Sequence, residues 1–240
     1  MLSIVIPAYN EEQRLSPTLD RIFDFLDKNW KQTVEVLVVD DGSRDSTAKL
    51  VEARQKIEPR LRLIQNPGNR GKGYSVKHGM CKAQGDWRLM TDADLSAPIE
   101  ELTKLIEAAT KAGAKVAIGS RALDRRLIGV HQSRWRELSG IFFNFVMRAI
   151  TGLKFKDTQC GFKLFHRDAA ALIFPRQQID GFGFDAEDLF IARKLEIPSI
   201  EVPVRWNNVE GTKVSLVLGM KPFADLLWIR WYSLTGRYRR

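Results

Sequence analysis

Short apolar runs alternate with longer amphipathic stretches through the first half of the chain, and each run ends in a polar cluster. Leu2-Ser3-Ile4-Val5-Ile6-Pro7 predicts a buried first strand, stopped by a proline that cannot extend a ladder, before the polar loop Ala8-Tyr9-Asn10-Glu11-Glu12. Ser16 and Pro17 read as the N-cap and first-turn proline of a helix whose apolar face is Leu15, Leu19, Ile22, Phe23 and Leu26. The β-branched run Val34-Glu35-Val36-Leu37-Val38-Val39 predicts a second strand, ending in Asp40-Asp41-Gly42-Ser43. Asp45, Ser46 and Thr47 cap a helix running to about residue 58, Leu61-Arg62-Leu63-Ile64 is a third strand, and residues 66–73 form a glycine-rich turn. A helix over 74–84 and a fourth strand over 87–91 follow.

This alternation predicts an α/β fold, a mostly parallel sheet with helices on both sides. Ligands of such sheets bind beyond the carboxyl ends of the strands, where this chain puts polar loops at 7–11, 40–43 and 92–94. The most informative of them closes Leu89-Met90-Thr91-Asp92-Ala93-Asp94-Leu95. On a strand, Asp92 and Asp94 share a face, and two like charges that close call for a cation between or beside them. Carboxylate oxygens suit Mg²⁺ or Mn²⁺, which bind phosphates in turn. A strand end followed by a helix cap explains the same residues, since Asp is frequent in turns. The first βα turn has no Gly-x-Gly-x-x-Gly, and no Gly-Lys-Ser/Thr follows a glycine loop, so neither common phosphate-binding fingerprint is present.

After a helix over 99–112 and a strand over 115–119 the character changes. The helical stretch 135–153 carries Leu138, Ile141, Phe142, Phe145, Val146, Ala149, Ile150 and Leu153 on one stripe, widened by Phe143 and Met147 and flanked by Arg134, Arg136, Arg148, Lys154 and Lys156. A basic helix with surplus aromatic surface fits an element lying in a membrane interface; a helix wedged between the sheet and the C-terminal segment fits as well. Leu216-Val217-Leu218 and the stretch 223–234, with Trp228, Trp231 and Tyr232, precede Arg237-Tyr238-Arg239-Arg240. Trp and Tyr beside Arg is the composition of a lipid headgroup boundary.

Composition narrows the partners. The 240 residues are 44% hydrophobic and 28% charged, the balance of an ordinary folded protein with a real core. A formal charge of +9 implies an anionic partner: nucleotide phosphates, an anionic membrane surface or nucleic acid. No nucleic-acid recognition motif or stacking platform accompanies the charge, so nucleic acid is set aside. Cys81 and Cys160 have no metal-ligand spacing and read as reduced, buried thiols. No signal peptide and no spanning helix is expected from the apolar runs.

Taken together, Ile4-Val5-Ile6-Pro7-Ala8-Tyr9-Asn10-Glu11-Glu12, Val38-Val39-Asp40-Asp41-Gly42-Ser43, Asn69-Arg70-Gly71-Lys72-Gly73 and Asp92-Ala93-Asp94 resemble the family 2 glycosyltransferases of GT-A fold. Ser133-Arg134, Asp157-Thr158-Gln159-Cys160-Gly161-Phe162-Lys163-Leu164-Phe165 and Phe184-Asp185-Ala186-Glu187 resemble the polyprenyl- and dolichyl-phosphate hexosyltransferase branch of that family. The likeness implies one GT-A unit over 1–240, with a nucleotide-sugar-binding half over 1–125 and an acceptor- and membrane-facing half over 126–240. Pro7, Tyr9, Glu11, Asp41 and Asp92 would contact the base and ribose, with Ala8, Asp40 and Ala93 beside them as further substrate-binding positions. Asp94, with Asp92, would hold Mg²⁺ or Mn²⁺, and Lys72 would lie near the nucleotide. Ser96 stands where mannosyl relatives carry a metal-binding glutamine.

The same likeness implies that Arg121, Arg134, Lys163, Arg205 and Lys213 meet an acceptor phosphate; Asp157 is expected to orient the acceptor loop or to pair with an arginine. Asp185 and Glu187 occupy the place of an acid/base pair; a strand would direct both toward the site, a helix start would separate them. A phosphate nucleophile is already anionic, so positioning suits Asp185 better than proton abstraction. The implied reaction moves a hexose, glucose from UDP-glucose or mannose from GDP-mannose, to a polyprenyl or dolichyl phosphate; a saccharide hydroxyl is the competing acceptor. The implied setting is peripheral attachment to the cytoplasmic face of a membrane.

Overall fold

The computed structural model describes residues 1–130, 134–209 and 221–239. Its strands are β1 (Leu2–Ala8), β2 (Val34–Asp40), β3 (Leu61–Gln65), β4 (Trp87–Thr91), β5 (Val116–Ser120), β6 (Ile128–Val130), β7 (Phe162–His166), β8 (Ser199–Pro203) and β9 (Trp206–Asn207). The helices are α1 (Glu12–Asn29), α2 (Thr47–Gln55), α3 (Lys72–Lys82), α4 (Glu101–Ala112), α5 (Arg134–Thr151), α6 (Arg167–Ile173), α7 (Phe184–Lys194) and α8 (Lys221–Leu234). Seven strands form one sheet in the order β3-β2-β1-β4-β7-β5-β8, and β6 pairs with β9 in a small second sheet.

Side-chain alternation gives the large sheet two apolar faces. Leu2, Ile4 and Ile6 of β1 and Val36 and Val38 of β2 join α1 and α4 in one core; Val5, Leu37 and Val39 join α3, α6 and α7 in the other. Strands buried on both faces read as the continuous apolar runs seen in the sequence. The mostly parallel α/β fold expected from those runs is the one observed.

One strand breaks the parallel rule. β7 lies between β4 and β5 and is antiparallel to both, with Thr91 opposite Phe162 and Ile118 opposite Lys163. Its direction matters for the site: the start of an antiparallel strand lies at the same rim as the ends of β1, β2 and β4. The segment 157–161, a long way along the chain from Asp92, therefore arrives at the rim where Asp92 stands.

Two local expectations need correction, and a third lies outside the described residues. α1 begins at Glu12, five residues before Pro17, which lies inside the helix. Tertiary contacts set that start: Glu11 N–H donates to Thr47 Oγ1 at 2.8 Å, and Glu12 accepts from Ser46 N–H at 2.9 Å, tying the first turn of α1 to that of α2. Cys81 is exposed rather than buried; Cys160 is buried as expected, and burial pushes its thiol up to about 12. The Leu216-Val217-Leu218 run lies outside the described residues.

Candidate functional site

The polar ends of β1, β2 and β4 and the start of α3 enclose a cavity of about 420 Å³. Pro7, Ala8, Tyr9, Glu11, Asp41, Lys72, Asp92, Ala93 and Asp94 all line it, so most of the positions expected from the first half come together. Two tight turns aim the rim. Asn10 and Leu95 both hold left-handed backbone, at φ +53° and +47°, a conformation uncommon for any residue except glycine. Leu95 N–H donates to Asp92 O at 3.2 Å and closes the turn that carries both aspartates.

Asp41 organises the glycine-rich loop. Its carboxylate accepts from Asn66 Nδ2 at 2.8 Å and from the backbone N–H groups of Arg70 and Gly71 at 3.0 and 2.8 Å. That places Lys72, the first residue of α3, over the cleft, where its ammonium pairs with Asp92 Oδ1 at 2.6 Å. Burial works against the Lys72 charge, but Asp92, Asp185 and Asp94 outweigh it and raise its pKa, so it stays cationic. Gly161 makes a close approach on the other side of Asp92: a Cβ there would stand 2.0 Å from Asp92 Oδ2. Only the missing side chain lets that segment touch the carboxylate.

Asp94 differs from Asp92 in having no cationic partner among the described residues. Its Oδ1 accepts only the Ser96 N–H, at 2.9 Å, and the side chain faces the cleft half-buried. Two carboxylates with free lone pairs on one rim fit a hard divalent cation, and among the described residues no third acidic, His or Cys side chain completes a cluster. An ion held by Asp94 and Asp92 would have its remaining positions open to water and to diphosphate oxygens.

Behind this cleft the second half supplies a linked set of ion pairs. Arg121 meets Asp157 in a fork, Nε to Oδ2 at 2.7 Å and Nη2 to Oδ1 at 2.8 Å, and its guanidinium lies 5.4 Å from the Trp206 ring centre. Burial alone would raise the Asp157 carboxyl; Arg121 more than reverses it and holds the group below the ordinary carboxylate range. Lys163 is buried, and its ammonium is shared between Cys160 O at 2.7 Å and Asp185. Burial raises the Asp185 pKa, with Lys163 and Lys72 pulling against it.

A second cavity, of about 140 Å³, opens on the far side of the 157–161 segment. Arg121, Arg125 and Lys156 line it, with Ile141 and Asn144 of α5 and Trp206 of β9. Thr158 Oγ1 and Asn144 Oδ1 border it, buried and without a hydrogen-bond partner among the described residues.

Several expected positions stand elsewhere. Asp185 and Glu187 open a helix, α7, which turns them apart, and Glu187 is fully buried with its oxygens taken by the N–H groups of Gln178 and Ile179 and by Tyr238 Oη. It cannot reach a substrate. Lys163, spent on Asp185 and Cys160, is not a phosphate ligand either. Asp40 is buried beneath the rim and accepts from the Ser43 N–H, forming the turn instead of lining the cleft. Arg205 is paired with Glu101. Arg134 is the first residue of α5, and Lys213 lies outside the described residues.

The cleft also holds residues the motifs did not flag. Arg14 forks onto Glu11 at 2.7 and 2.9 Å, a spacing of three on α1 that a helix beginning at Glu12 would have brought out. Phe182 comes from a loop of the second half, where no sequence pattern marks it. Arg125 and Lys156 were hidden among many surface basic residues.

Comparison with known proteins bears on the family and the fold. The model of the family described as "Glycosyl transferase family 2" matches residues 3–174. The dolichyl-phosphate beta-glucosyltransferase of Mus musculus is 38% identical over 99% of this chain and 77% of its own length, and that of Dictyostelium discoideum is 36% identical over 99% and 76%. Among solved structures, Mycobacterium tuberculosis glucosyl-3-phosphoglycerate synthase with Mn²⁺, UDP-glucose and phosphoglyceric acid superposes with a TM-score of 0.66 at 19% identity, covering 95% of this chain and 79% of that one, a likeness of GT-A fold. With a matching family model over most of its length and relatives this similar, the chain belongs to the family 2 glycosyltransferases.

Proposed function

We propose that this chain transfers glucose from UDP-glucose to dolichyl phosphate, or to a polyprenyl phosphate of the same headgroup chemistry, with inversion at the anomeric carbon. The observation that carries the reading is that one segment, 157–161, approaches a residue of the first cavity and lines the second. Gly161 of the 157–161 segment touches Asp92 in the first cavity, while Asp157, Thr158 and Gln159 line the second. A donor in one and a phosphate in the other would meet across that segment. The relatives named for glucose favour glucose over mannose.

Each chain residue has a task in this scheme. Asp41 and Glu11 line the nucleoside side of the cleft, Asp41 holding the glycine-rich loop and Glu11 holding Arg14, and Lys72 places a cation beside the departing diphosphate. A divalent cation, Mg²⁺ or Mn²⁺, held by Asp94 with Asp92 would supply further neutralisation of that diphosphate. Arg125 and Lys156, beside the Arg121 guanidinium that Asp157 engages in a fork, bring positive charge to the incoming phosphate. One phosphate oxygen forms the bond to the anomeric carbon as the bond to the UDP oxygen breaks, and UDP leaves with that electron pair. No proton has to be removed from the nucleophile. Asp185, held by Lys163 behind Lys72, keeps the cationic side chains in place rather than acting as a base.

The acceptor's lipid tail calls for a membrane surface. α5 packs against α8, and the two leave Phe142, Phe145, Leu227, Trp228 and Trp231 exposed while Met147, Leu226 and Ile229 face the core. Among the described residues no helix is long and apolar enough to cross a membrane. Peripheral docking on anionic lipid follows, with Arg230, Arg237 and Arg239 nearby, each adding about 1 kcal/mol at such a surface. The protein is expected to float with phosphatidylserine vesicles at low salt, and a Trp228→Ser/Trp231→Ser variant to stay at the bottom of the gradient. Equal flotation of both would remove α8 from the docking surface.

Donor identity is tested by calorimetry with UDP, UDP-glucose and GDP-mannose, each with and without Mn²⁺. The expected ligands are UDP and UDP-glucose, tighter with metal. Preference for GDP-mannose would replace the sugar assignment and leave the fold of the scheme intact.

A further inference from the structure

The segment that follows α8 is buried. Tyr238 follows α8 through a turn at Gly236, whose φ is +81°, and its side chain is among the largest fully buried ones in the protein. Its ring packs on Phe190 and Tyr232, with centroids 6.0 and 6.2 Å away. Its hydroxyl donates to Glu187 Oε1 at 2.5 Å. Glu187 accepts in addition the N–H of Gln178, at 3.0 and 3.1 Å, and the N–H of Ile179 at 2.8 Å. A buried carboxylate is costly unless its lone pairs are filled, and here a loop and the segment after α8 fill them together.

That loop leads straight to the donor cleft. Asp180 O accepts from Tyr74 N–H at 3.2 Å, and Gln177 Nε2 donates to Gly73 O at 2.9 Å. Gly71 and Gly73 have no room for side chains because the loop presses on them: a Cβ would lie 2.4 Å from Asp180 O at Gly71 and 2.5 Å from Ile179 O at Gly73. Lys72 sits between those two glycines. Phe182, two residues beyond Asp180, forms part of the cleft wall. On its other side the loop is held by α8, where Asp225 Oδ2 accepts the Gly183 N–H at 3.2 Å.

From this chain of contacts we propose that Tyr238 and Glu187 form a latch that positions the 178–183 loop, and through it Lys72 and Phe182, for binding the donor. Tyr238 is a positioning residue: it touches no substrate and acts through Glu187. The same latch joins the donor cleft to α8, so that the order of the segment after α8 sets donor affinity. The inference rests on the cleft being the nucleotide-sugar site.

The test compares parent and Tyr238→Phe, which keeps the ring in its packing and removes only the hydroxyl. Hydrogen exchange is read over residues 178–183, UDP affinity by calorimetry with Mn²⁺, and turnover at saturating donor. Faster exchange in the loop, a UDP Kd weakened about tenfold and turnover within about twofold of the parent are expected, since one hydrogen bond to a buried charge is lost and a tenfold change in affinity is of that size. A simple loss of stability would not divide KM from kcat in this way. Loop exchange and UDP affinity equal to the parent's would overturn the latch. Faster loop exchange in a protein whose parent binds no UDP would uphold the latch as a device of the fold and discard the donor reading instead. Should Tyr238→Phe fail to fold, Glu187→Gln carries the same comparison, because its amide oxygen still accepts from Ile179 N–H.

Discussion

Asp94→Asn is expected to lower glucosyl transfer by about 10²–10³-fold, the usual cost of removing one preorganised charge from a reacting centre, with the melting temperature unchanged. The structure separates those two effects. Asp94 pairs with no basic side chain among the described residues, is not in the core, and spends one oxygen on the Ser96 N–H, a bond that the amide oxygen of Asn keeps. What Asn lacks is the second anionic oxygen facing the cleft, the feature a divalent cation needs. The variant should also lose the metal-dependent gain in UDP affinity, and chelation should bring the parent down to the variant's rate. Full activity of Asp94→Asn in the presence of chelator would exclude a metal role for this rim.

Gly161→Ala is the second large effect. Its Cβ would stand 2.0 Å from Asp92 Oδ2 and 2.4 Å from Asp92 Cγ, so the carboxylate has to leave its place or the 157–161 segment has to retreat. Asp92 is partly exposed and can swing into the cleft, which spares the fold but breaks the 2.6 Å pair with Lys72. A shift of about 1 Å at a reacting centre costs on the order of 10²-fold, and that is the loss expected in kcat/KM. Because the segment that carries Gly161 also lines the second cavity through residues 157–159, both donor and acceptor KM should rise. Parental kinetics in a folded Gly161→Ala would show that Asp92 does not need its present position.

How far the sequence reached follows from which interactions are local. The strands β1, β2 and β4 were legible because each is a continuous apolar run closed by its own polar turn, and those turns line the first cavity. Asp92 and Asp94 came in the same way. β7 was not legible as a strand of the sheet, because its place between β4 and β5 depends on pairing partners far along the chain, Leu89 opposite Leu164 and Val116 opposite Phe165. For the same reason the touch of Gly161 on Asp92 left no mark in the spacing. Glu187 and Lys163 were assigned to the substrate by motif, whereas burial gives their charges to Tyr238 and to Asp185. Motif position told where these residues gather, and only three-dimensional packing told which face the cleft.

The ion pairs around the 157–161 segment also explain why the site is built from so many charges. Asp92 with Lys72, Asp185 with Lys163 and Asp157 with Arg121 succeed one another from the donor cleft to the second cavity. Alone, such pairs gain little stability over apolar packing. In the proposed scheme they would keep cations fixed beside two phosphate groups that otherwise repel each other, the electrostatic task of joining a sugar diphosphate to a lipid phosphate.

The central claim is tested most directly by incubating the purified protein with radiolabelled UDP-glucose, Mn²⁺ and dolichyl phosphate, and scoring label in the lipid phase. The account expects a single labelled glucosyl lipid phosphate with β linkage, formed with stoichiometric UDP and absent when dolichyl phosphate is replaced by dolichol. Label reaching a saccharide acceptor while the lipid phase stays empty would contradict it.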